Sequence, residues 1–213
     1  MHCDESIVWS QQSPLLVEQF WSRPGIQPAV LFLHGANGLN HRYYDFALSV
    51  ARCGYRTFLP HYFEPTGTTF ADPSVSRARF PIWLDNLSRV LAFISRHPQV
   101  IQSSIGVVGV SLGATLALAL PYCFSGIGAI AELFGEVPEL LAWRIRDMPP
   151  TLFVHGDADC HIPLARLLQS VRRLENRGAQ CEMRIYRGER HLFGRGSISD
   201  AVRDVHGFLY EYL

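Results

Sequence analysis

Residues 109–114 read GVSLGA and stand between two apolar runs, residues 105–108 before them and 115–120 after them. The first run is short and rich in valine and isoleucine, as a buried strand is, and the second has the composition and length of a helix. A serine between two glycines at such a junction matches G-x-S-x-G, the sharp strand-to-helix turn that raises a nucleophilic hydroxyl above a sheet. Gly109 and Gly113 would let strand and helix approach closely, and Ser111 would face the positive end of the helix that follows. The same five residues also fit a plain glycine-rich turn, so the rest of the chain has to supply the chemistry.

Outward from this junction, β-rich apolar runs alternate with amphipathic stretches. Strands are expected in SIVWS, LLVEQFW, AVLFLHG, RTFLPHY, IGVVGVS, IGAIAELFG, TLFVHGD and CEMRIYRG. The inner runs are almost continuously hydrophobic, as parallel strands buried on both faces are. Helices are expected in YYDFALSVARCG and PLARLLQSVRRLENRG, closed by Gly54 and Gly178, and in IWLDNLSRVLAFISRH, LGATLALALPYC and DAVRDVHGFLYEYL. This alternation predicts an α/β fold with a mostly parallel central sheet of about seven or eight strands flanked by helices. The first two strands form an antiparallel edge, and residues 63–81 read as a long irregular connection.

With 213 residues and 48% hydrophobic content, the chain fits one domain over residues 1–213 and leaves no space for a large helical lid. Lysine plus arginine equals aspartate plus glutamate at 19 each, which gives no argument for a nucleic-acid partner. Five scattered cysteines without a CxxC pair favour neither a disulfide framework nor a cysteine-based zinc site; Cys53 and Cys123 are expected to fill core space. No membrane span or export leader is apparent, so a cytoplasmic protein, monomer or homodimer, is expected.

In such sheets ligands gather at the carboxyl ends of the strands, so the residues just after each run are informative. A serine hydroxyl needs a base, and the base needs an orienting acid. Asp157 and Asp159 follow one late strand in TLFVHGDADCHIP, and His191 follows the last in YRGERHLFG. Serine, aspartate, histidine is the chain order of hydrolases built on this elbow. His34, His61, His155 and His161 also lie near strand ends, but no H-e-x-x-H-type spacing joins them, and no metal or cofactor is expected.

The stretches LFLHGANGLN, GVSLGA, HGDADCHIP and RHLFG together resemble the α/β-hydrolase superfamily and, within it, the dienelactone hydrolase family. The resemblance runs from about the strand ending at His34 to the final helix. It implies that Asp159, followed by Pro163, is the acid and Asp157 a turn residue or cap, and that His191 is the base. The expected oxyanion donors are the backbone N–H groups of Leu112, next to the nucleophile, and Ala36, in the loop after LFLHG. Two departures stand out. The dienelactone hydrolases proper use a cysteine in place of Ser111 and a glutamate in place of Gly35, so this chain should depend on its histidine as ordinary esterases do.

The resemblance also suggests Arg77 and Arg79 as contacts for a substrate carboxylate, although a plain surface pair fits equally well. Phe63, with Tyr62, Phe70, Phe80 and Trp83, could line an apolar substrate pocket or belong to the core. Glu132 ends a strand near the site, as a buried paired acid or a substrate contact. The expected activity is hydrolysis of a small ester or lactone through an acyl-enzyme. Acyl transfer or cyclisation by the same triad, and a non-catalytic binding protein on the same scaffold, are the rival readings.

Overall fold

The computed structural model describes residues 1–9, 13–138 and 148–213. The apolar runs become β1 (His2–Trp9), β2 (Pro14–Trp21), β3 (Gln27–Leu33), β4 (Arg56–Pro60), β5 (Val100–Val110), β6 (Ala129–Leu133), β7 (Thr151–Gly156) and β8 (Cys181–Tyr186). The described helices are α1 (His41–Arg52), α2 (Pro73–Ile94), α3 (Leu112–Ala119), α4 (Leu164–Glu175) and α5 (Arg195–Tyr212). The strands form one eight-stranded sheet in the order β1-β2-β4-β3-β5-β6-β7-β8. β1 and β2 pair antiparallel and β2 pairs antiparallel with β4, whereas every pairing from β4 to β8 is parallel. The antiparallel start is therefore as expected. The last residue of the expected strand SIVWS, Ser10, lies outside the described residues.

Strand alternation divides the core between the two faces of the sheet. From β3, Ala29, Leu31 and Leu33 point into a cluster with Leu87 and Val90 of α2, Leu116 of α3 and Leu167 of α4. Val30 and Phe32 point the other way, toward Phe46, Ala47 and Val50 of α1 and Val205 and Leu209 of α5. Both faces of β3 are covered, which is why its sequence is an unbroken apolar run. The connection from β3 runs to β4 on one side, and the connection from β5 runs to β6 on the other. The crevice above β3 and β5 is thus the switch point at which such sheets bind ligands.

Three expectations are corrected. Residues 63–81 are not irregular throughout, because α2 begins at Pro73. Asp72 caps it by accepting from the Ser74 and Val75 N–H groups, and Pro73 fits the first turn, where no N–H is needed. Pro81 lies inside the helix and leaves the hydrogen-bond ladder one donor short, so it disguised the helix rather than ending it. Cys53 and Cys123 do not fill core space: both are exposed, and all five cysteines are free. The aromatic residues Tyr62, Phe63 and Trp83 are core, with Phe63 stacked on Trp83 at 4.5 Å and Tyr62 edge-on to Phe63. Among the described residues, no helix is long and apolar enough to cross a membrane.

Candidate active site

β5 runs into Ser111, which takes φ 55° and ψ −117°, a conformation costly for any residue with a Cβ. The turn is held open by its glycines. A Cβ on Gly109 would lie 2.3 Å from the carbonyl oxygen of Gly113, and one on Gly113 would lie 2.4 Å from the carbonyl oxygens of Leu33 and His34. Helix α3 can therefore press against both β5 and β3, and the Ser111 N–H closes the turn by donating to the Leu133 carbonyl at 2.8 Å.

The loops after β7 and β8 bring two further side chains to this hydroxyl. Ser111 Oγ lies 2.9 Å from His191 Nε2, and His191 Nδ1 lies 2.8 Å from Asp159 Oδ2. The carboxylate can only accept, so Nδ1 carries the proton and Nε2 is free to accept from the serine. Asp159 Oδ1 takes the N–H groups of His161 at 2.7 Å and Ile162 at 3.0 Å. Burial alone would raise its carboxyl, but the Ile162 N–H, His191 and the His161 N–H outweigh burial and hold it below the usual carboxylate range. His155 supports the loop by donating from Nε2 to the Ile162 carbonyl at 2.8 Å. Asp157 faces elsewhere and accepts from the Gly188 N–H at 2.6 Å, which ties the β7 loop to the β8 turn.

The loop after β3 comes close to the elbow, since a Cβ on Gly35 would lie 3.3 Å from Ser111 Cβ, and Leu112 follows Ser111 directly. Leu112 opens α3, so its N–H has no partner within the helix. Among the described residues, no backbone carbonyl accepts from Leu112 or Ala36, and the Ala36 carbonyl is itself fixed by the Ala71 N–H at 2.8 Å. Beneath them, burial pushes His34 down to about 4, so its ring is neutral and donates from Nδ1 to the Gly35 carbonyl at 2.9 Å. Tyr62 stacks on that ring and donates to the His34 carbonyl at 2.7 Å.

The other expected contacts lie elsewhere. Arg77 and Arg79 are exposed on the early turns of α2. Phe63 is buried behind the His34 ring at 4.7 Å. Glu132 is fully buried at the end of β6, where Oε2 accepts from the Gly135 N–H at 2.6 Å and Oε1 has no partner. Burial raises this carboxyl to about 8, only partly offset by that hydrogen bond, so it is a neutral acid under the loop after β6.

An open cleft lies on the opposite face of the sheet from Phe63 and Trp83. This cleft of about 1110 Å³ runs between α1 and α5, with Phe46, Val110, Phe134, Phe193, Ile198 and Val202 along its walls and Arg42 and Asp45 also lining it. Its lining includes Asn37, Val110 and Leu192, the chain neighbours of Ala36, Ser111 and His191. The sequence offered no pattern for this cleft, because its walls come from two helices and three loops far apart in the chain. Nor did linear spacing reveal that Asp159, His161 and His191 hold three donor atoms within 4.8 Å of one another.

The sheet order with its serine elbow defines an α/β-hydrolase, and solved structures agree on the fold. A dienelactone hydrolase-like promiscuous phosphotriesterase from metagenomic libraries superimposes with a TM-score of 0.85 at 16% identity, covering 99% of this chain and 98% of that one. The dienelactone hydrolase of Anabaena variabilis gives 0.77 at 17% identity, covering 100% and 98%. A propionate-bound esterase from Thermogutta terrifontis gives 0.77 at 16% identity, covering 98% and 94%. The chain belongs to the Dienelactone hydrolase family, whose model matches residues 17–204. Among curated proteins it is similar to a probable 2-oxo-3-(5-oxofuran-2-ylidene)propanoate lactonase of Bradyrhizobium sp., 24% identical, with 85% of this chain and 79% of that protein covered. The family places the protein among hydrolases of small esters or lactones.

Proposed function

We propose that the protein is a carboxylic ester hydrolase that works through Ser111, His191 and Asp159 and an acyl-enzyme. The observation that carries this reading is the continuous hydrogen-bonded line from Ser111 Oγ through His191 to buried Asp159, built on a strained elbow. Ser111 Oγ attacks the ester or lactone carbonyl while His191 Nε2 takes its proton. Asp159 keeps the proton on Nδ1 and stabilises the imidazolium that forms. The Leu112 and Ala36 N–H groups hold the oxyanion, the α3 terminus adding its positive end. As the tetrahedral species collapses, the carbon–oxygen bond to the leaving alkoxide breaks and His191 returns the proton to that oxygen. Water, deprotonated by His191, then releases the acid and restores the serine hydroxyl.

The cleft between α1 and α5 supports an acyl or alcohol portion with an apolar body, since its walls adjoin the serine elbow, the Ala36 loop and the His191 loop. The similar lactonase supports cyclic esters among the substrates; there the alcohol released stays tethered to the acyl group. We further read residues 1–213 as one domain, and the five free cysteines support a reducing, cytoplasmic setting. Turnover of short-chain ester and lactone panels, with and without an added alcohol or amine, tests this function. Acid as the sole product supports hydrolysis, a transferred acyl group assigns the triad to acyl transfer, and no turnover with an unreactive Ser111 leaves a binding protein.

A further inference from the structure

Asp159 and His191 have a neighbour that the proposed reaction does not use. His161 is exposed, and its ring lies 4.9 Å from that of His191, inclined by 35°. One carboxylate oxygen of Asp159 and one ring nitrogen from each histidine lie within 4.8 Å of one another. Two imidazoles and a carboxylate form the three-ligand set of open zinc sites, with zinc–nitrogen and zinc–oxygen distances of about 2.0–2.2 Å. At the tetrahedral angle two donors on one ion lie about 3.3–3.6 Å apart, so the widest pair of the trio must close by up to about 1.5 Å. His161 is the member that can move: Asp159 is buried and held by two N–H groups and His191, whereas the His161 side chain borders solvent.

We propose that Asp159, His161 and His191 form a reversible inhibitory site for a zinc-class divalent cation. The site rests on the triad reading in one respect, that a bound ion silences Ser111. Both His191 ring nitrogens are already engaged, one with Ser111 and one with Asp159. An ion on Nε2 takes the acceptor that Ser111 needs, and an ion on Nδ1 takes the proton-bearing position that Asp159 orients. Metal binding and serine activation therefore exclude each other whichever nitrogen coordinates. The carboxylate and the dication attract in a partly buried pocket, and the three protein ligands leave a fourth position for water. His161 is this chain's own contribution, placed between the Asp159 loop and the base.

The test pairs a readout of metal with a readout of serine. Zinc chloride is titrated calorimetrically into chelator-free wild type and His161→Ala, and fluorophosphonate labelling of both is timed with zinc and again after EDTA. The substitution keeps the backbone N–H that His161 gives to Asp159. Expected are one zinc per wild-type chain, suppressed labelling that EDTA restores, and ~10-fold or more weaker binding in His161→Ala, with zinc-free labelling unchanged. No saturable zinc binding, or binding and suppression equal in the two proteins, would overturn the site. If Ser111 is unlabelled without zinc, the triad reading fails, and the calorimetric comparison still decides the metal site.

Discussion

Asp159 divides its two oxygens between two tasks: Oδ2 receives the His191 Nδ1–H at 2.8 Å, and Oδ1 receives the backbone of its own loop through His161 and Ile162. Asp159→Asn can keep the loop bonds through its amide oxygen, but its NH₂ then faces Nδ1 and favours the wrong imidazole tautomer. The expected result is a kcat lower by about 10⁴-fold with a melting temperature near wild type. A variant that melts early would instead show that the carboxylate serves mainly the loop.

Gly113 and Gly207 predict opposite outcomes for one chemical change. A methyl on Gly113 meets backbone carbonyls of β3 at 2.4 Å, so Gly113→Ala should cost about 3 kcal/mol by forcing strand and helix apart. Gly207 lies exposed inside α5 with nothing within 4 Å of an added Cβ, so Gly207→Ala should stabilise by about 1 kcal/mol. Chemical denaturation of both variants measures the difference.

Glu132 gives stability a dependence on pH. Its carboxyl is raised from 4.5 to about 8 by complete burial. Between those values the folded protein holds a proton that the unfolded chain releases, so stability falls as pH rises through this window and levels off above about 8. At its steepest this slope is about 1.4 kcal/mol per pH unit. Glu132→Gln keeps an oxygen for the Gly135 N–H and cannot ionise. Its unfolding free energy between pH 5 and 8 should therefore change less than that of wild type, and at pH 8 it should be the more stable protein. Parallel curves for the two would remove Glu132 as the source.

Val202 lines the cleft from α5. Val202→Trp should raise KM for esters with bulky apolar acyl chains about tenfold while acetate esters retain theirs. An equal effect on all esters would place the substrate's body outside this cleft.

Much of the architecture could be read from the chain because burial leaves a direct trace. β3, β6 and β7 are covered on both faces and appear as mostly apolar runs, and the elbow is written in two glycines that steric contact makes necessary. The meeting of Ser111 and His191 with an aspartate of the β7 loop followed from strand-end positions and chain order, and the choice of Asp159 over Asp157 from the family resemblance. Elsewhere the local sequence and the fold diverge. Pro81 argues against a helix that Asp72 and Pro73 begin, and Trp83, Leu87 and Leu91 hold in place by packing. Phe63 is an aromatic residue in a loop near the site, and only the stack of His34, Tyr62 and Trp83 around it shows that it is core. Gly35, where the resemblance leads to a glutamate, has its space filled: an added Cβ would lie 2.5 Å from Tyr43 Oη, which is bonded to Asn37. The cleft and the donor trio arise from tertiary proximity alone.

The central claim is that Ser111 is an activated nucleophile, and intact-mass analysis after fluorophosphonate treatment of wild type and Ser111→Ala tests it most directly. The account predicts one adduct on wild type and none on the variant. A wild type that stays unmodified, or a variant labelled as readily as wild type, would contradict it.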